Sequence, residues 1–60
     1  MLKIYTASET FNFIGKDEKE VYRLINDAGA RGAEWTVPIT LKSKKRMVFI
    51  LKNIIAMELD

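Results

Sequence analysis

The chain has 60 residues, with ten basic and eight acidic side chains for a net charge of +2, and it contains neither cysteine nor histidine. That length holds a single domain, residues 1–60, and a domain this small buries only about 60% of the surface its unfolded chain exposes. The missing residue types exclude disulfides, Cys/His zinc sites, and Ser–His or Cys–His nucleophilic catalysis. The expectation is a non-enzymatic protein with no cofactor and no metal.

Apolar residues make up 48% and charged residues 30%, an ordinary globular mixture. The first residues, Met1-Leu2-Lys3-Ile4-Tyr5-Thr6, alternate and contain no apolar core of a signal peptide. The longest apolar run, Met47 to Leu51, is far shorter than the ~20 residues of a membrane span. These features lead to the expectation of a cytoplasmic protein without a membrane segment. Charge is unevenly spread: residues 1–41 sum to −1 and residues 42–60 to +3.

Residues 2–7 alternate as a strand, Ser8-Glu9 reads as a turn, and residues 10–14 form a second strand with Phe11 and Phe13 on one face. A helix follows over 17–28. Asp17 and Glu20 have N-cap and N3 spacing, Val21, Leu24, Ile25 and Ala28 form one apolar stripe, and Gly29 suits the left-handed position after the helix. Acidic residues crowd the first turn, as the helix dipole favours. Asp17, Glu18, Glu20 and Asp27 belong to this helix, and nothing converges them on a metal or a water. No glycine-rich phosphate cradle is present.

Three further strand-like segments, 34–41, 47–51 and 54–59, are separated by turns at Lys42-Ser43-Lys44-Lys45 and Lys52-Asn53. The fold class is therefore α+β: a small antiparallel sheet in β-β-α-β-β-β order with one helix packed on one face. Turning about Ser43-Lys44 sets Ile39 opposite Val48 and Val37 opposite Ile50. Turning about Lys52-Asn53 sets Ile50 opposite Ile55 and Val48 opposite Met57. On that register Trp35, Val37, Ile39, Leu41, Val48, Ile50, Ile55, Met57 and Leu59 face the helix.

Met47, Phe49, Leu51 and Ile54 then form an apolar centre on the opposite face, out of the helix's reach. Two covers are available for it. The N-terminal hairpin can curl over it with Tyr5, Phe11 and Phe13, or another subunit or partner protein can pack there, a symmetric dimer being the simplest case. Pro38 cannot donate a ladder hydrogen bond, so its strand is an edge or is bulged there. An edge so placed either guards against unwanted pairing or lies beside a binding site next to Trp35.

Lys42, Lys44, Lys45 and Arg46 form the one single-sign cluster, which with Arg31 and Lys52 makes a candidate anion-contacting rim. Two stretches resemble nucleic-acid-binding families. Gly29-Ala30-Arg31-Gly32 is similar to the G-x-x-G loop of KH domains, although a strand follows where that family has a helix. Lys3-x-Tyr5 with Phe11-Asn12-Phe13-Ile14 resembles the base-stacking strands of cold-shock domains, without that family's glycines, histidine or tryptophan. That resemblance implies a strand over Val21 to Ile25 in place of the helix.

The functional expectation is a small homodimeric interaction protein that docks on a partner protein, a regulator or inhibitor of the kind viruses and mobile elements carry, counter-defence included. The alternative is a nucleic-acid-binding module using Arg31 and the 42–46 turn.

Overall fold

The computed structural model describes residues 1–60. Strands β1 (Leu2–Thr6) and β2 (Thr10–Phe13) form the expected hairpin, with Leu2 opposite Phe13 and Ile4 opposite Phe11. Its turn is tied by Thr6, whose hydroxyl donates to the Glu9 carbonyl at 2.7 Å and accepts the Glu9 N–H at 3.1 Å. Helix α1 (Gly15–Ala30) follows, then two short strands, β3 (Ile39–Thr40) and β4 (Arg46–Met47), a 3-10 turn (Leu51–Asn53) and β5 (Ile54–Leu59). The fold is α+β with antiparallel sheets, as the alternation of the strand segments predicts.

The strands divide into two sheets instead of one. The first has the order β2-β1-β5 and the second pairs β3 with β4. β5 does not turn back on β4. The 3-10 turn carries the chain away, and β5 pairs with β1, setting Ile4 opposite Met57 and Leu2 opposite Leu59. Neither Lys52 nor Asn53 is left-handed, and each favoured two-residue hairpin turn demands at least one such residue. Pairing with β1 instead makes β1 the central strand, where Leu2 and Ile4 are completely buried.

β5 carries a bulge. Tyr5 is opposite Ala56 but Thr6 is opposite Ile54, so Ile55 is the extra residue. Ile54 and Met57 consequently both turn toward the core cluster, while Ile55 is left in solvent.

The helix is longer than predicted at both ends. It begins at Gly15 with Ile14 as its cap residue, so Asp17 is not the N-cap. The Asp17 carboxylate instead accepts the Lys42 N–H at 2.8 Å and holds the β3–β4 turn against the first helical turn. At the other end Gly29 remains helical, and the left-handed residue is Gly32, φ +70°. The Gly32 N–H donates to the Gly29 carbonyl at 3.1 Å and the Ala33 N–H to the Ala28 carbonyl at 2.9 Å. Those two bonds are the Schellman pattern with Gly32 at its left-handed position. Gly29-Ala30-Arg31-Gly32 is thus a helix end, not the nucleic-acid loop it resembles. Val21 to Ile25 lies inside the helix, which overturns the cold-shock resemblance.

Val21, Ile25 and Ala28 are buried on the predicted stripe, with Leu24 packed at its margin. The core joins Val21 and Ile25 to Leu2, Ile4 and Phe13 of the first sheet and to Ile39 and Phe49 of the second hairpin.

Two left-handed residues give a paired test of this backbone. Gly32→Ala meets open space but forces a Cβ into the left-handed region, and destabilises the domain by about 1–2 kcal/mol. Lys44, φ +68°, already carries that penalty in the β3–β4 turn, so Lys44→Gly stabilises by up to about 1 kcal/mol. Urea titrations followed by circular dichroism should therefore move in opposite directions for the two variants.

Candidate partner-binding face

The second hairpin determines which apolar side chains reach solvent. Its turn is closed by the Lys44 N–H on the Leu41 carbonyl and the Leu41 N–H on the Lys45 carbonyl, both 2.8 Å. The loop is therefore three residues, Lys42-Ser43-Lys44, with the left-handed Lys44 as its last member. A two-residue turn on Ser43-Lys44 would need Ser43 left-handed, alone or together with Lys44. The three-residue loop needs only Lys44 left-handed, and the register slips by one residue: Ile39 lies opposite Met47, not Val48, and Thr40 opposite Arg46.

A second slip occurs at Pro38. Trp35 bridges to Ile50, the Thr36 N–H donates to the Phe49 carbonyl at 3.0 Å, and the Leu51 N–H donates to the Glu34 carbonyl at 2.9 Å. The same register sets Val37 opposite Val48. Between that pair and the Ile39–Met47 pair, Pro38 has no partner and is the bulge residue. The bulge inverts the alternation, so Val37 points outward and Ile39 inward although they are two apart.

The predicted faces are consequently exchanged at residues 35–37 and 47–50, while Ile39, Leu41 and Met57 lie toward the core as expected. Phe49 is buried at 5% exposure and Met47, Leu51 and Ile54 are half-buried; Met47 and Ile54 pack on the core. These four residues are not an open self-association face. Their cover is the N-terminal hairpin: Phe11 and Phe13 meet the Phe49 ring edge-on, with centroids 5.3 and 6.1 Å away. Tyr5 takes no part in that cover, because its hydroxyl lies on the outer side and donates to Glu58 at 3.1 Å. Inside, the buried Thr36 hydroxyl accepts the Phe49 N–H at 3.1 Å, so that strand position keeps its hydrogen bond despite the irregular ladder.

The large apolar residues this hairpin exposes are ones predicted to face the helix. Trp35, Val37, Val48 and Ile50 are all exposed, Trp35 to 60%. Trp35–Ile50 and Val37–Val48 are the non-hydrogen-bonded pairs of the ladder, the arrangement in which cross-strand side chains approach most closely. They form one continuous ribbon on the outer face of the hairpin. At one end a cleft is lined by Ala33, Glu34, Trp35, Ile50, Leu51 and Lys52. At the other, alternation places Thr40 and Arg46 on the same outer face. Pro38 stands exposed beside the ribbon, where its bulge produces it.

The cations divide into two groups. Lys42, Lys44, Lys45 and Arg46 remain together at the turn beside the helix start, where Asp17 anchors the Lys42 backbone. Arg31 lies beyond the other end of a helix about 24 Å long and is held by Asp27 at 3.1 Å. No single rim contains both. The three ion pairs of the chain are Met1 amine–Glu18, Arg23–Glu20 and Arg31–Asp27, which leaves Lys42, Lys44, Lys45, Arg46 and Lys52 without acidic partners. No group of acidic side chains is arranged to hold a metal ion.

Val37, Val48 and Ile50 were missed as surface residues. For Val37 the available signal is Pro38, whose effect on alternation extends to the residues before it; Val48 and Ile50 are turned outward by the three-residue loop at Lys42-Ser43-Lys44. Compared with known proteins, the chain matches no family model, no curated sequence and no solved structure.

The exchange of faces has a direct stability test. Phe49→Ala costs about 3–5 kcal/mol. That loss rivals the whole stability of sixty residues, roughly 3–9 kcal/mol at 0.05–0.15 per residue. Trp35→Ser changes stability by no more than about 0.5 kcal/mol, as a surface substitution should. Thermal melts of the two variants decide which of these aromatic residues is core.

Proposed function

We propose that this protein is a non-enzymatic protein-interaction module that acts by docking the outer face of its 34–50 hairpin on a partner protein. The observation that carries the reading is the contiguous exposure of Trp35, Val37, Val48 and Ile50 on a domain that buries so little elsewhere. About half of each side chain is still in solvent, so covering it is worth roughly 1 kcal/mol apiece, and the ribbon is a usable reservoir of binding energy. Aromatic anchors of this kind dominate interface energetics, and Trp35 sits at a cleft where a partner's side chain can enter. A regulator or inhibitor that works by covering a surface needs nothing more than such a face.

Nucleic-acid binding through the 42–46 turn is supported by its unpaired cations. It is weakened by the separation of Arg31 and by the aliphatic character of the ribbon, which offers one aromatic platform where stacking proteins use several.

Trp35→Glu and Val48→Asp leave the fold intact by circular dichroism and remove the docking energy. Affinity capture from the native host with wild-type protein should retain a partner that both variants lose. A partner retained equally by all three proteins, or a wild-type protein that captures nothing and scatters light as a 6.9 kDa monomer, rejects the reading. Scattering by a larger species that both variants dissolve makes a second copy the partner. Tight oligonucleotide binding that Lys44, Lys45 and Arg46 to alanine abolishes would favour the nucleic-acid alternative.

A further inference from the structure

We infer that the occupant of this face is an extended, acidic segment of another protein, added along the free edge of residues 46–50. The inference rests on the interaction reading above and specifies its partner by chemistry. Charge is the first ground. Arg46 stands at one end of the ribbon and Lys52 in the cleft at the other, with Lys42, Lys44 and Lys45 just beyond Arg46. None of the five has an acidic partner within the chain, and Glu34 is the one carboxylate lining that cleft.

The backbone is the second ground. Phe49 directs its N–H and C=O toward Thr36, so the flanking residues Val48 and Ile50 direct theirs to the opposite edge. Val48 makes no backbone hydrogen bond, and the Ile50 N–H makes none either. A groove runs along that edge, between residues 47–50 and the β1–β2 turn, with Phe11, Met47, Thr6, Ser8 and Asn53 among its lining. An added strand pairs with the open groups, places alternate side chains beside Val48 and Ile50, and rests the others in the groove. Arg46 and Ile50 are four residues apart, roughly 13 Å of extended chain. Acidic residues at the two ends of an apolar stretch of about that length meet the cations on both sides.

A second copy of this chain fits poorly. Antiparallel addition of the same edge brings the Arg46 end of one copy onto the Lys52 end of the other, cation against cation.

The test is panning of a phage-displayed library of random 12-residue peptides on the immobilised full-length protein. Recovered peptides should carry Asp or Glu on both sides of an apolar centre. Their affinity should fall at least tenfold in Trp35→Ala and in the Arg46→Glu/Lys52→Glu double variant, and should weaken further as salt rises. Tyr22→Ala, on the outer face of the helix, should leave it unchanged. Methylating the central backbone nitrogens of a recovered peptide should abolish binding if it adds as a strand. Peptides that depend on Trp35 but are neutral or basic overturn the acidic partner while leaving the interaction reading standing. Absence of any Trp35-dependent peptide overturns the inference, and host capture then judges the broader reading separately.

Discussion

Two small sheets, each too narrow to enclose a core, are joined in this protein through the ring of Phe49. The ring comes from the irregular 34–50 hairpin and is clasped edge-on by Phe11 and Phe13 of the β1–β2 hairpin. Around that aromatic group Leu2, Ile4, Val21, Ile25 and Ile39 complete the interior. The buried Thr36 hydroxyl matters because it lets Phe49 turn inward without leaving its N–H unpaired, a loss that costs about 1–3 kcal/mol when buried. With no cysteine for a disulfide and no acidic cluster arranged for a metal, aromatic packing across the two hairpins is the device that lets sixty residues close.

Everything outside the core follows from two extra residues. The bulge at Pro38 turns Trp35 and Val37 outward while Ile39 stays inside, and the bulge at Ile55 brings Ile54 and Met57 inward together. A regular ladder through either segment would have placed one apolar set wholly inside or wholly outside. The bulges split each set, and the outer share of the second hairpin becomes the ribbon. A proline that lacks a ladder N–H thus has a consequence well beyond edge protection: it turns Trp35 and Val37 to solvent.

The sequence made some of this legible and concealed the rest for identifiable reasons. The helix stripe, the first hairpin and the α+β class follow from periodicity, because Val21, Leu24, Ile25 and Ala28 or Leu2 and Ile4 have only one consistent arrangement. Both helix ends differ from those predicted, since Asp17 and Gly29 have the right types for caps while Asp17 binds the Lys42 N–H and Gly32 takes the left-handed position. Faces of the second hairpin were exchanged because two-residue turn parity was carried through Ser43-Lys44 and then through Pro38. Each slip reverses inside and outside, and the second falls only on residues before Pro38. The pairing of β5 with β1, fifty residues apart, has no local signal at all. The Phe11 and Phe13 cover over Phe49 was available as one of two alternatives, and packing chose it.

Charge placement explains how a domain this small leaves a tryptophan and three aliphatic residues in water. Six of the eight carboxylates lie before residue 42, four of them on the helix, and three of those helical carboxylates are spent on ion pairs. The cations of the second hairpin are left uncompensated around the ribbon. Like-charged surroundings oppose the encounter of two such faces, and so restrain the aggregation that an apolar strip with an open strand edge invites. The same field attracts an acidic surface before any apolar contact is made. On the proposed reading one distribution of charge has two effects, opposing the encounter of two copies and favouring an acidic partner, and neither could be read from the net value of +2.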